Sequence, residues 1–351
     1  MTPEDIALAR LVAQRLVGPP LASPRAVVAH LTALQAQDEP GALLSVALRC
    51  GGTRDDVRAA FDAGDLARTW PMRGTLHTVV ADDLPWLVDL MTARPRAAAA
   101  RRRVQLGLSE DDVERATDLA VAALAGHPRT RAEILGVWAA EGLPTEAGRG
   151  YHLLAELSQR GLVCLGPYRD GEQAFALVAE HVRAPRRLEG DEALAELALR
   201  FLRGHGPATV ADLARWTGLP LGEVRRGVAA VRGELAAVEV DGVEHLLDPA
   251  TLDRLPDLRD AAREVLLLPG FDELILGYAD RSATLAPEHA GLVVPGGNGV
   301  FRPIVVAGGR AVATWRSAGT GRKRRLEVAP FAPPLPDGVE EAARERWAAL
   351  P

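Results

Sequence analysis

The chain has 351 residues, of which 48% are hydrophobic and 25% charged, and a formal net charge of −6. This length predicts roughly two to four modules rather than one core. No stretch approaches the roughly 20 uninterrupted apolar residues of a membrane span, and the start, MTPED, lacks the basic residues of a secretory signal. We therefore expect a soluble globular protein of the cytoplasm with no membrane partner.

The acidic balance excludes a uniformly basic surface for nucleic acid, although local groups of Arg can still bind phosphates. Basic residues concentrate at 94–103 and 322–325, and both runs are equally consistent with a solvated face. Lys323 is the only Lys, so the frequency of Arg reflects the composition and does not itself indicate DNA binding. Cys50 and Cys164 lie outside any metal-like spacing, so we expect two reduced thiols, no metal and no cofactor.

The first predicted module spans residues 1–104. Its predicted elements are helices at 6–16, 24–37 and 55–63, strands at 66–69 and 75–80, and an apolar insertion at 42–49 that could be helix or strand. Gln35 and Gln37 stand at the end of the second helix. Residues two apart on a helix point about 200° apart, so both side chains reach one site only if the helix ends there. Pro40 disfavours a helical residue before it and supplies that end.

Two further modules, 105–190 and 191–255, repeat the order of helices followed by a hairpin. The predicted helices lie at 111–125, 131–141, 146–160, 191–203, 209–216 and 221–231, and the strands at 162–165, 174–177, 236–240 and 243–247. Asp241-Gly242 is the favoured two-residue hairpin connection. This order is the outline of a winged helix.

Residues 256–351 change to short apolar runs bounded by Gly and Pro, which predicts a β-rich C-terminal domain. The predicted elements are strands at 265–268, 293–294, 304–306 and 311–315 and a last helix at 339–349. Gly308-Gly309 predicts a tight turn that places Arg310 and Arg316 at strand ends. The expected fold class is therefore α+β, with three tandem winged-helix modules followed by a β-rich domain.

Few residues stand out as candidates for chemistry. Gln35 and Gln37 alone are weak signals, because Gln is ordinary near a helix end and does not titrate. Arg73 and His77 place a basic group and an imidazole on one hairpin, where they could contact phosphates. Alternatively, Arg73 pairs with a carboxylate such as Asp82 or Asp83 and His77 is an ordinary strand residue. The sequence contains no phosphate-binding loop, dinucleotide fingerprint or zinc-protease helix.

Other residues have two interpretations each. Arg225 and Arg226 lie on the second helix of a helix-turn-helix pattern, which reads the major groove in some proteins and is architectural in others. Asp272 and Glu273 form an adjacent carboxylate pair, but adjacent acids seldom converge on one metal or substrate. The glycine-rich segment 296–299 lacks the flanking strand and helix of a phosphate loop and is expected to be a turn.

Two segments, Gln35-Ala36-Gln37 and TWPMRGTLH at 69–77, resemble the signature of the AlkZ-like DNA glycosylases. The segment LPGFDELILGYADR at 268–281 is similar to that family's C-terminal hallmark, and 308–315 to its closing hairpin. The resemblance implies three tandem winged-helix units and a β-rich domain that cup a DNA duplex in a basic channel. The implied partner is double-stranded DNA with alkylated bases, bound by a monomer.

The implied activity is monofunctional DNA N-glycosylase hydrolysis of alkylated purines, either bulky N7 adducts or interstrand crosslinks. An N7-alkylated guanine is positively charged, so its glycosidic bond is already weak and an amide suffices to hold the attacking water. The resemblance assigns that role to Gln35 and Gln37, without metal or covalent intermediate. The candidate DNA-binding residues are Arg73, His77, Arg225, Arg226, Arg310, Arg316, Arg322, Lys323 and Arg324.

The alternative is a non-catalytic winged-helix transcriptional regulator. It would bind specific sequences through the helix that carries Arg225 and Arg226, and it would release no base from alkylated DNA. A third possibility is a structural or protein-interaction module without DNA affinity. DNA binding that weakens steeply as the salt concentration rises would count against it.

Overall fold

The computed structural model describes residues 1–351, apart from the side chain of Arg322. It mixes helices and sheets and divides into two compact units. We call Met1–Arg54 with Ala195–Pro351 the split unit, and Asp55–Leu194 the continuous unit. The four ranges expected from the sequence stay a prediction. Within the described part of the chain, no helix is both long and apolar enough to cross a membrane.

The split unit begins with three helices and a short strand. They are α1 Pro3–Ala13, α2 Pro24–Leu31, β1 Ala33–Gln35 and α3 Glu39–Cys50. Ser23 caps α2 by accepting from the Ala26 N–H, and Pro24 suits the first turn because that position needs no N–H. The helix ends at Thr32, whose φ of 70° is incompatible with a right-handed helix.

The predicted helix over 24–37 is therefore wrong in its second half. The chain leaves α2 at Thr32, and Gln35 ends a strand instead of a helix. Pro40 also has a different role from the expected one, because it lies in the first turn of α3 and helps to begin that helix. The ambiguous apolar insertion is helical and belongs to α3.

The continuous unit contains seven helices and four strands, with labels continuing along the chain. They are α4 Arg54–Asp62, β2 Leu66–Met72, β3 Thr75–Val80, α5 Leu84–Met91, α6 Ala93–Gln105, α7 Glu110–Leu124, α8 Arg131–Ala140, α9 Arg149–Gln159, β4 Val163–Arg169, β5 Glu172–Leu177 and α10 Val178–His181. Strands β3, β2, β4 and β5 lie side by side and antiparallel, so the two predicted hairpins share one sheet. Its core includes Trp70, Trp138 and Phe175.

The rest of the split unit starts near the beginning of the next helix. Its elements are α11 Gly190–His205, α12 Val210–Thr217, α13 Leu221–Val231, β6 Ala236–Val240, β7 Val243–Leu247, α14 Pro249–Arg263, β8 Leu266–Leu268, α15 Glu273–Leu276, α16 Ala290–Val293, β9 Ile304–Ala307, β10 Arg310–Ala318, β11 Arg325–Pro330 and α17 Val339–Ala348. The predicted hairpin of β6 and β7 is confirmed residue for residue.

Strands β8, β9, β10 and β11 form an antiparallel sheet in that order. The Gly308-Gly309 turn between β9 and β10 is confirmed, with both φ angles positive. The strand expected at 293–294 is wrong, because Val293 ends the short helix α16. The sequence also did not indicate α14 as a whole, since Pro256 lies inside it, or strand β11.

Candidate functional site

The Gln35-Ala36-Gln37 segment runs from the end of β1 into the turn before α3. Gln35 is 7% exposed, Ala36 is buried and Gln37 is exposed. The backbone N–H of Gln37 donates to Oε1 of Gln35 at 3.0 Å. An amide oxygen is the only atom of that side chain that can accept, so this contact fixes which way the Gln35 amide faces. One lone pair of its oxygen remains for a further donor.

The turn after Gln37 depends on a close approach of two backbone segments. A Cβ at Gly41 would lie 2.5 Å from Oδ2 of Asp38 and 3.2 Å from the carbonyl oxygen of Gly270. A larger residue there would require the Asp38 carboxylate to turn away and the Gly270 carbonyl to shift slightly. The Gln segment is therefore followed at once by a tightly packed connection.

Glu273, the first residue of α15, holds the backbone of Gln35. Its Oε1 accepts from the Gln35 N–H at 3.0 Å, and its Oε2 accepts from Nε1 of Trp216 at 2.9 Å and from Nε2 of His205 at 3.4 Å. Its carboxylate is buried, with 1% of its surface exposed. Burial raises the pKa of Glu273, but the three hydrogen bonds, that from His205 first, outweigh it and lower the pKa below its usual range.

The aromatic residues around this carboxylate form a closed wall. The rings of Phe201 and His205 stack with centroids 4.5 Å apart, and Trp216 lies 5.4 Å from the His205 ring. Tyr278 donates from its hydroxyl to the carbonyl of His205 at 2.7 Å. All of these side chains are buried, so the hydrogen bonds to Glu273 act at low dielectric and are correspondingly stronger than in solvent.

Asp272, directly before Glu273, belongs to a separate buried network. It accepts from both Nη atoms of Arg49 at 2.9 Å and from Oγ of Ser45 at 2.7 Å, and it caps α15 through the Leu274 N–H. Burial raises the pKa of Asp272, but the charge and hydrogen bonds of Arg49 lower it overall. The network fastens α3, which follows the Gln segment, to α15.

Asp272 and Glu273 thus have structural roles that could not be assigned from the sequence of segment 268–281. Each of the two carboxylates supports a different part of the chain next to the Gln segment, Glu273 the Gln35 backbone and Asp272 helix α3. Glu273 was singled out from the sequence only as one of an adjacent carboxylate pair, and His205 and Trp216 were not identified. The only signal was the length of segment 268–281, which resembles the C-terminal hallmark of the family and could have indicated that this segment is needed for the structure.

Arg73 and His77 meet within the continuous unit. Arg73 and Gly74 form the two-residue turn between β2 and β3, both with positive φ. Nη2 of Arg73 lies 3.2 Å from Nε2 of His77, and Nδ1 of His77 lies 2.9 Å from the carbonyl of Thr75. Because a guanidinium only donates, Nε2 accepts and Nδ1 carries the proton. His77 is fully buried, whereas Arg73 is half-buried.

The other candidate DNA-binding residues occupy two places in the split unit. Arg225 and Arg226 are exposed on α13, and Arg310 is exposed at the start of β10. Arg316 forms an ion pair with Glu327, and Arg324 donates to Ser317 and lies over the Trp347 ring. Lys323 is exposed, and the side chain of Arg322 lies outside the described residues.

Part of the first basic run has a structural role. Arg96 and Arg103, on α6, both donate to the buried carboxylate of Glu156, at 3.0 Å and 2.8 Å. The described residues contain no group of three or more His, Cys, Asp or Glu side chains placed to hold a metal ion.

Comparison with known proteins shows the class of enzyme to which the chain belongs. The family described as DNA glycosylase AlkZ-like matches residues 28–350. The chain therefore belongs to the AlkZ-like DNA glycosylases, which are hydrolytic enzymes, and the alternative of a transcriptional regulator is not supported.

A curated protein and a solved structure, both from Streptomyces sahachiroi, are similar over most of the chain. An interstrand DNA cross-link repair glycosylase is 29% identical over 323 residues, which are 87% of this chain and 84% of that protein. The solved structure of the DNA glycosylase AlkZ matches with a TM-score of 0.81 at 26% identity, covering 100% of this chain and 96% of that one. The mixed helix and sheet architecture is shared with that structure.

Proposed function

We propose that this protein hydrolyses the N-glycosidic bond of alkylated purines in double-stranded DNA, with Gln35 and Gln37 positioning the water. The observation that carries the proposal is the Gln35–Gln37 contact at 3.0 Å in a member of a DNA glycosylase family. It orients one amide, and it places an exposed second amide two residues further on.

The chemistry fits two neutral amides. The cationic N7-alkylguanine leaves C1′ as a neutral base, taking the bond electrons, and the sugar develops positive charge. Water then adds to C1′ and loses a proton to solvent, which leaves an abasic site. The Gln oxygens accept hydrogen bonds from this water and face the sugar cation with partial negative charge. An amide is too weak a base for unmodified nucleotides, so undamaged DNA is spared.

We extend the proposal to bulky N7 adducts, including interstrand crosslinks, because the curated relative carries that description. The helix and hairpin elements of residues 1–104, 105–190 and 191–255 are proposed to be winged-helix modules, followed by a β-rich domain at 256–351. A monomer suffices for this arrangement.

DNA contacts are proposed for the basic residues named from the sequence. Arg225, Arg226, Arg310 and Lys323 are exposed and suited to phosphates. Arg73 is proposed to reach DNA. His77 was also expected to contact DNA, but its ring is fully buried, so its proposed role is to orient the Arg73 guanidinium. The remaining proposed contacts are Arg316, Arg322 and Arg324.

The test uses duplex DNA with a single N7-alkylguanine and measures alkali-labile strand breaks under single-turnover conditions. Gln35→Ala and Gln37→Ala are each expected to slow base release at least about 10-fold, with DNA affinity changed less than about 2-fold. Gln159→Ala, also buried, and Gln105→Ala, also exposed, are the matched controls and retain the wild-type rate.

Two results would count against the proposal. Wild-type rates in both Gln35→Ala and Gln37→Ala would refute the assigned roles. If the wild-type protein releases no base from any alkylated duplex, the proposed activity itself is wrong.

A further inference from the structure

We infer that Glu273 is a positioning residue for base excision, acting on Gln35 through its backbone N–H. The inference rests on the proposed function, because it assigns Gln35 a role in holding the water. Glu273 does not contact DNA in this account. It sets where the Gln35 amide stands before the DNA arrives.

The hydrogen bonds show how the placement works. Gln35 is anchored at its backbone by Oε1 of Glu273 at 3.0 Å and at its side-chain oxygen by the N–H of Gln37, also at 3.0 Å. Strand β1 has only three residues and offers few ladder hydrogen bonds to hold this position. A side chain from 238 residues away supplies the additional anchor.

The carboxylate itself is held on its other oxygen. Trp216 and His205 both approach Oε2, so the side chain cannot rotate without breaking two hydrogen bonds in a closed aromatic setting. Gly277 allows the close packing of His205, since a Cβ there would lie 2.7 Å from its Cδ2. The position of Gln35 is thereby tied to α11, α12 and α15 at once.

The chemistry of the group distinguishes a carboxylate from its isosteres. Three N–H groups converge on Glu273, and an ionised carboxylate accepts all of them with two oxygens. A Gln at this place has one accepting oxygen and one NH2 donor. Its NH2 group would face either the Gln35 N–H or the Trp216 N–H. Two donors would then oppose each other, so either strand β1 or the Trp216 side chain must shift.

The experiment compares Glu273→Gln with Glu156→Gln in the single-turnover excision assay. Glu156 is an equally buried carboxylate, 1% exposed, which accepts from Arg96, Arg103 and Arg160 and does not contact the Gln segment. We expect Glu273→Gln to lower the rate of base release by roughly 10- to 100-fold, because small misplacements of a catalytic group have costs of that order. DNA affinity should change less than about 2-fold, and Glu156→Gln should retain the wild-type rate.

A double-mutant cycle separates positioning from general damage to the fold. If Glu273 acts through Gln35, adding Glu273→Gln to Gln35→Ala changes the rate less than about 2-fold. A purely structural role predicts the full additional loss in the double variant. Additive losses would therefore overturn the inference.

The outcomes distinguish the inference from the function on which it rests. If the wild-type protein excises the base and Glu273→Gln does so at the same rate, the inference is wrong and the proposed function stands. If the wild-type protein excises nothing, the proposed function fails first. Should Glu273→Gln not fold, Glu273→Asp keeps the charge but withdraws the carboxylate by about 1.5 Å, and the same loss of rate without loss of affinity is expected.

Discussion

Replacing Asp272 by Asn is expected to lower the free energy of unfolding of the split unit by about 3–5 kcal/mol, the usual cost of removing one partner of a buried ion pair. The structure supports the upper part of that range. Arg49 and Asp272 are 0% and 1% exposed, so the guanidinium left behind has no access to water. The new amide would also place an NH2 group against N–H or O–H donors from Arg49, Ser45 or Leu274.

The expected loss is large compared with the total free energy of unfolding of a typical domain. Domains are typically stable by about 5–15 kcal/mol, so a loss of about 3–5 kcal/mol would remove at least roughly a fifth of the total. Urea unfolding followed by intrinsic Trp fluorescence measures the change. Glu340→Gln is the control, because the Arg344–Glu340 pair is 63% and 59% exposed and should be worth less than about 0.5 kcal/mol. Equal losses in Asp272→Asn and Glu340→Gln would refute the reasoning.

Three further expectations concern acid, glycine and thiols. The difference in unfolding free energy between wild type and Asp272→Asn should be constant above about pH 5 and should shrink as the pH falls below about 4. The reason is that the pKa of Asp272 is lowered in the folded state, so the stability from its ionised form is lost as the pH falls through that pKa. Urea unfolding at a series of pH values measures the difference. Gly204→Ala should cost about 1–3 kcal/mol, because its Cβ would lie 2.5 Å from a carbonyl oxygen of α2, whereas Gly222→Ala, in open space on α13, should cost nothing in the same assay. Cys164, whose pKa burial raises to about 12, should resist alkylation at pH 8 in the native protein while the half-buried Cys50 reacts faster, as mass spectrometry would show; equal rates would contradict this.

Local patterns predicted much of the fold. The hairpin at 236–247 was predicted correctly because Asp241-Gly242 combines turn chemistry with flanking apolar runs. Helix α13 was also predicted with its correct ends. The errors arose where backbone geometry overrode propensity, as at Thr32, a β-branched residue with a left-handed φ that sequence rules do not anticipate.

The candidate site was predicted only in part. Gln35 and Gln37 were identified through a resemblance, but their placement at the end of a helix was wrong. Gln35 is the last residue of β1 and Gln37 lies in the turn that follows, so no regular element sets the relative direction of the two side chains; the hydrogen bond from the Gln37 N–H to Oε1 of Gln35 links them instead. Glu273 could not be predicted, because its contact with Gln35 depends on tertiary packing across 238 residues.

The division of the chain also has a consequence for protein synthesis. Asp55–Leu194 is continuous in the sequence, whereas β1 precedes it and the carboxylate partner of β1 follows it. At about 5–20 residues per second, 238 residues correspond to roughly 10–50 s of elongation. A nascent or prematurely terminated chain that lacks α15 carries both glutamines but not the residue that anchors Gln35. The hydrogen bond that anchors Gln35 can therefore form only after translation has passed α15.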